Sequence, residues 1–404
     1  MTKNVCLLML VLAAAAPIAA DSLNCRLVGT YELPAFPVDV AVVDSLAYVA
    51  AWDGGLHIVS IADPQSPSEV GLFGGMGTAM GVAVKDSIAY VAAHGAGLFL
   101  VSIADPTNPY QVGQHGTSSV SARVAVRDTL AFVADRGAGL SIVSIADPAH
   151  PYDVGSYPDT LGSVHNDVAV AGDFAYAATA LGNLLQVINI ADPAHPTLAG
   201  SCAMPSNAEG VTVSGSYAYV AAGDLCIVDV SNPQTPQEVG RYVSPNFAVD
   251  VRVAGNTAYV ADGYSGLRVV DVSNPQQPQE LGYYETPGWT NGIDLAGDYV
   301  YVTENPIGLR VFQFYGVGIE EESPKLQAPS SKLGPTIVRG VLKMGDRGQK
   351  TGDRVELLDV TGRQVMALRP GDNDVSRLAP GVYFVRAVSR ELSAASCHKV
   401  VIAR

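Results

Sequence analysis

The sequence predicts an all-β chain whose larger part closes into a seven-bladed β-propeller, and three observations predict it. A strand-rich unit of about 42 residues recurs seven times, which is the size of one four-stranded blade. No unit shows the helical spacing of apolar residues. A segment that matches the last strand of a unit precedes the first unit, while the last unit stops without it.

The elements follow in chain order. Lys3 and the apolar run Val5 to Ala16, with small residues before Asp21, read as a signal peptide over residues 1–20. Its core is too short to span a bilayer, and no later segment reaches 18 uninterrupted apolar residues, so no transmembrane segment is expected in the mature chain. The propeller is expected over residues 21–316. Its clearest element is Leu56-His57-Ile58-Val59-Ser60-Ile61-Ala62-Asp63-Pro64, which returns from Leu98, Leu140, Leu185, Leu225 and Leu267, and from Leu309 without the proline. Apolar residues of both parities in this strand predict burial on both faces, as in a blade between two neighbours. Ahead of it lies Ala47-Tyr48-Val49-Ala50 and its copies, preceded by an alternating strand such as Val38 to Val42. The Asp/Asn-Pro pairs are turn chemistry, followed by a fourth strand such as Glu69 to Phe73. Arg26 to Leu33 matches that fourth strand and is expected to complete the seventh blade, leaving no open edge.

A polar segment, 317–334, with Glu320-Glu321-Glu322, Pro324 and Pro329 reads as a linker. Strands expected at 336–342, 354–360, 364–368, 382–388 and 398–403 then fit a small Ig-like β-sandwich over 335–404. Charge marks the same boundary. Residues 318–404 carry 14 Lys+Arg against 10 Asp+Glu, whereas the rest carries 10 against 29. So acidic a body excludes nucleic acid as a partner. Cys25, Cys202, Cys226 and Cys397 have no metal-ligand spacing and read as free, buried thiols.

Leu267-Arg268-Val269-Val270-Asp271-Val272-Ser273-Asn274-Pro275 resembles the LVIVD repeat, and the resemblance covers about residues 26–315. The first four copies carry Ser60, Ser102, Ser144 and Asn189 where that motif has Asp. The resemblance implies an exported bacterial or archaeal propeller. Val355 to Val365, Leu378 to Arg386 and the terminal Lys399 to Arg404 are similar to the C-terminal sorting domain of type IX secretion, although Gly334-Pro335 stands where Asn-Pro is usual. That likeness implies delivery through the periplasm to the cell surface or beyond, with the outer-membrane secretion machinery as a partner of residues 335–404.

No catalytic signature, P-loop or calcium loop is present, so no catalytic residue, metal or cofactor is assigned. The repeat itself locates a candidate site, because the loops entering each first strand and those joining second to third strands vary while the opposite turns do not. One aligned position reads Asp39, Gly81, Arg123, Asp167, Gly210, Asp250 and Gly292 around the ring. With Trp52, Asp53, His94, His165, Trp289, Asn291 and Glu304, the residues Asp39, Arg123 and Asp167 form the expected ligand-binding set, and Trp52 and Trp289 are expected to flank one site across the closure. The reading is a non-catalytic propeller that binds an unknown protein or carbohydrate ligand; the alternative is a hydrolase or lyase working in the acidic funnel.

Overall fold

A computed structural model describes residues 22–158 and 163–316, and seven strand segments between 336 and 402. The signal-peptide and linker readings lie outside the described residues. The chain groups into two compact units, residues 1–321 and 322–404.

The first unit contains seven antiparallel sheets; each has a set of four strands, consecutive in sequence except in the last, and the sixth carries a fifth, short strand from the N-terminus. Blade 1 runs Asp39–Val43, Leu46–Ala50, Leu56–Ser60, Ser68–Phe73, with the first strand innermost. Blade 7 takes Trp289–Ala296, Tyr299–Asn305 and Gly308–Phe314, and its outermost strand is Cys25–Glu32 from the N-terminus. The closure expected from the sequence is thus present, with Cys25 opposite Phe314 and Glu32 opposite Gly308.

Two-sided burial is also present. Ile58 packs with Val91, Phe99 and Val101 of blade 2. Val59, on the other face of the same strand, packs with Leu309 and Val311 of blade 7. The core is therefore a series of inter-blade layers, and each fully buried aliphatic side chain contributes about 1.5–3 kcal/mol to holding neighbours together.

The outermost strands explain why the turns are so uniform. Each carries a bulge beside a glycine, as between Gln111 and Gly113. A Cβ at Gly29, Gly71, Gly113, Gly155, Gly200 or Gly240 would overlap the carbonyl oxygen of Pro64, Pro106, Pro148, Pro193, Pro233 or Pro275, respectively, in the next blade. The Asp-Pro turn is thus a plug as well as a turn. Asp63 caps it, its Oδ1 accepting the Gln65 amide at 3.0 Å.

Blade 7 has no such turn, and the N-terminus replaces it. Ser22–Leu23 pairs with the outermost strand of blade 6, Gln279–Tyr284. The Leu23 carbonyl lies where a Cβ of Gly282 would be, and Asn24 Nδ2 donates to the Leu281 carbonyl at 2.6 Å. The first residues therefore strap two blades, an arrangement the sequence reading confined to one.

Cys25, Cys202 and Cys226 are free thiols, and burial pushes Cys25 and Cys226 up to about 12. In the second unit a five-stranded sheet has the order Thr336–Val338, Ser396–Ile402, Gly381–Val388, Arg354–Leu358, Gln364–Leu368, and Val341–Met344 pairs with Gly371–Asp374.

The plug makes a testable contrast within three residues. Gly71→Ala drives a methyl into backbone and is expected to cost about 1–3 kcal/mol. Gly74→Ala, where a Cβ meets nothing within 4 Å, is expected to stay within about 0.5 kcal/mol of wild type. Thermal melts of the two variants check it, and equal melting temperatures would refute the plug.

Candidate binding site

The variable loops meet by a fixed rule. In blades 1, 2, 5 and 6 the loop between second and third strands bonds the entry loop of the next blade. The Ala79 amide donates to the Trp52 carbonyl at 2.9 Å, the Ser121 amide to His94 at 3.0 Å, and the Thr290 amide to Gly263 at 3.0 Å. These loop positions are equivalent, yet Gly223 and Gly263 fill them in blades 5 and 6 where Trp52 and His94 stand in blades 1 and 2. All four backbones are left-handed, with φ of 77°, 50°, 38° and 36°. Left-handed backbone suits glycine and costs other residues roughly 1–2 kcal/mol. Trp52 is 42% exposed, its ring 4.9 Å from Phe36, and its indole N–H donates to Met80 Sδ at 3.0 Å. Asp53, beside it, is exposed and accepts the Thr78 hydroxyl at 3.0 Å. Trp52, Asp53 and His94 therefore lie on the rim, as expected.

The same rule separates the two tryptophans. Trp289, the first residue of the innermost strand of blade 7, faces back to blade 6, 5.0 Å from Tyr264 and 6.5 Å from Phe247. Trp52, in a second-to-third loop, faces forward to Ala79 and Met80 of blade 2. Two separate aromatic clusters result, which corrects the expectation that both rings flank one site.

Apart from Asp53, the acidic members of the expected set, Asp39, Asp167 and Glu304, are built into the scaffold, as is the aligned Asp250. Asp39 Oδ1 accepts the Val40 amide at 2.9 Å and Oδ2 the Val82 amide of blade 2 at 2.9 Å. Asp167 repeats this with Val168 and Val211, at 2.8 and 2.9 Å, and Asp250 with Val251 and Ile293, at 2.8 and 3.2 Å. Burial pushes the Asp167 carboxyl up, and the Arg123 guanidinium pulls it back. Glu304 is fully buried, its Oε1 accepting the Gly288 amide at 2.6 Å, and pairs with Arg310. His165 is fully buried too, 6.5 Å from the Tyr157 ring, and not on the rim. A carboxylate facing two backbone amides stabilises the blade junction; the sequence pattern alone made it look available.

Glycines alternate with these aspartates because the next blade is so close. A Cβ on Gly81 would lie 2.7 Å from the Ala122 carbonyl oxygen, and on Gly210 at 2.7 Å from that of Val249. Seven positions cannot be filled by Asp–Gly pairs alone, and Arg123 takes the odd one. Its guanidinium pairs with Asp39 and lies 3.8 Å from Asp250. It divides the axis. Above it is a cavity of about 140 Å³ that also has Met80, Arg136, Asn166, Glu209 and Asn291 in its wall. Below it is one of about 300 Å³ bordered by Asp167, Arg252 and Asp294.

The upper cavity is the funnel floor. Asn166 Nδ2 donates to Glu209 Oε2 at 2.8 Å, and Asn291 Nδ2 to the Pro37 carbonyl at 3.1 Å. Burial raises the Glu209 carboxyl, with Arg136 and Arg123 acting against the rise. Arg136 Nε is enclosed without a hydrogen-bond partner. Of the expected set, the floor holds Arg123 and Asn291; Arg136, Asn166 and Glu209 were absent from it. Among the described residues, no three His, Cys, Asp or Glu side chains group to hold a metal ion.

Fold and loops together define a β-propeller with a floored funnel on its variable face. Residues 38–73, 76–117, 120–159, 162–204, 205–244 and 247–286 match the LVIVD repeat, and the chain belongs to that family. No curated protein matches it. Among solved structures, the WD40 β-propeller domain of Doa1 is similar at 13% identity and TM-score 0.59, covering 72% of this chain and 96% of that one. The Cps50 (Swd1) propeller domain of Myceliophteria thermophila is similar at 11% identity and TM-score 0.59, covering 72% and 99%. A functionally unknown protein from Desulfotomaculum acetoxidans matches at 16% identity and TM-score 0.53, covering 62% and 86%. At these identities the likeness is one of fold.

A second set of acids clips the entry loops and gives a pH dependence. Asp262 Oδ2 accepts the Asn246 amide at 3.2 Å, and burial raises its carboxyl to about 6, with Arg268 at 3.7 Å pulling it back. A raised carboxyl binds its proton more tightly in the folded state than unfolded, so its contribution to stability falls as pH rises from about 4 to 7. Asp262→Asn keeps the acceptor and removes the charge. Relative to this variant, wild type is expected to lose about 1–3 kcal/mol between pH 4.5 and 7.5. Paired denaturant titrations at both pH values check it; a constant difference would contradict it.

Proposed function

We propose that this chain is an exported, non-catalytic binding module that takes its ligand on the funnel face. One observation carries the reading: Trp52, an exposed aromatic, is held in a left-handed backbone at a position where other blades use glycine. Backbone strain kept at a surface ring is most simply explained by what that ring contacts. Exposed tryptophans are also typical anchors of binding sites. The axial carboxylates support binding over catalysis, because both oxygens of Asp39, Asp167 and Asp250 already face amides. The hydrolase or lyase reading has one observation in its favour, the raised carboxyl of Glu209 beside an open cavity. The second unit, on this reading, is a β-sandwich that acts as the sorting domain and delivers the propeller to the cell surface or beyond.

Strain retained for function should be relieved by glycine. His94 shares the Trp52 backbone and is exposed, so His94→Gly loses little packing. It is expected to stabilise the protein by up to about 1 kcal/mol, raising the melting temperature by roughly 1–4 °C. A lower melting temperature would show that the position is not strained. For delivery, removing residues 335–404 in the native host is expected to hold the protein in the periplasm. Cell fractionation checks this, and truncated protein at the surface would remove the sorting role.

A further inference from the structure

The funnel floor carries enough chemistry to specify the class of ligand. Its charges cancel locally. Arg136 and Glu209 border the same cavity, and Arg123 is already paired with Asp39 from beneath. Such a floor has no surplus positive charge to select an anion and no free group of acids to hold a cation. What it has is an enclosed donor without a partner beside a half-buried carboxylate. The enclosed Arg136 Nε lacks an acceptor, and beside it the half-buried Glu209 carboxylate accepts Asn166 Nδ2 at 2.8 Å. Burying a polar group without a hydrogen bond is unfavourable, so a ligand that offers Arg136 an acceptor removes that deficit, and a donor beside it can bond the Glu209 carboxylate.

An exposed aromatic pair lies beside this cavity, joined to it through Met80. Met80 borders the cavity and accepts the Trp52 indole N–H at 3.0 Å; Trp52 in turn lies against Phe36, and both rings are exposed, at 42% and 39%. From the bottom up, a ligand therefore meets planar polar groups and then the open edge of an apolar ring pair. A pyranose has matching parts: adjacent hydroxyls that each donate and accept, and a ring face of C–H groups suited to an aromatic surface. A cavity of about 140 Å³ has room for one such ring at the floor.

We propose that the funnel floor binds the terminal unit of a neutral carbohydrate, with a pair of adjacent hydroxyls between Arg136 and Glu209 and the ring against Trp52. This rests on the reading of the funnel face as a ligand site and adds the class of ligand to it.

The test is titration calorimetry of the full mature chain with cellobiose, maltose, mannobiose, galactobiose and chitobiose, alongside neutral tripeptides. At least one disaccharide is expected to bind, and Glu209→Gln and Arg136→Met are each expected to weaken it tenfold or more without lowering the melting temperature. Trp52→Ala should weaken it as well, whereas Asp105→Ala, on the opposite face, should leave it unchanged. A deoxy analogue missing one of the paired hydroxyls should bind wild type more weakly, yet should bind Arg136→Met no worse than the parent sugar does. No binding by any disaccharide, or sugar binding that ignores both floor substitutions, would overturn the proposal. If a tripeptide binds instead and is lost in the same variants, the carbohydrate class is wrong while the funnel remains the binding face. If tripeptide binding is lost in Asp105→Ala and kept in the floor and Trp52 variants, the funnel reading fails with it.

Discussion

The fold depends on one recurrent contact, the seating of each blade's turn on the outermost strand of the blade before it. A glycine beside a bulge leaves the space, and a proline carbonyl from the next blade fills it. Any side chain there would hold the blades apart. The contact explains why Asp/Asn-Pro recurs almost unchanged while the other face diversifies. It also explains how the ring ends. The seventh blade has no proline after Phe314, and the space at Gly282 goes to Leu23 and Asn24 instead. The N-terminal strand therefore completes one sheet and plugs another, so the last blades are joined by the first residues of the domain.

Near the axis the same closeness has a different chemistry. Asp39, Asp167 and Asp250 each bridge to an amide of the following blade, which begins with Gly81, Gly210 or Gly292. Three such pairs use six of seven positions. The seventh holds Arg123, which offsets the carboxylates around it and closes the channel. An odd number of blades thus leaves one aligned position outside the Asp–Gly pairs, and Arg123 in that position gives the funnel its floor. The distinctive polar groups of the candidate site, Arg136, Asn166 and Glu209, gather in the wall above that residue. Asymmetry in a nearly symmetric ring is where a specific ligand can be recognised.

Much of this was legible in the sequence. Strand positions, two-sided burial and the closing strand follow from a repeated pattern, because each blade faces the same two neighbours. Other features were hidden for physical reasons. A carboxylate such as Asp39 reads as a free acid until the amide of Val82 is seen beside it, although the spacing of Asp39 to Gly81, Asp167 to Gly210 and Asp250 to Gly292 carried the signal. The strain at Trp52 has no trace in its own residue type, only in the glycines aligned with it. The partnership of Trp52 with Trp289 was a misreading of direction, since entry loops face backward and second-to-third loops forward. The strap onto blade 6 was foreshadowed solely by the missing proline.

Native-state amide hydrogen exchange tests the central claim, that the ring is held shut by its N-terminal strand. If blade 7 is closed in this way, the amides of Cys25–Glu32 and their partners in Gly308–Phe314 open with the same free energy as the second and third strands of blades 2 and 3, in one global event. If Cys25–Glu32 exchanges at much lower free energy while those blades remain protected, the strand is an appendage, and the ring is held by something else.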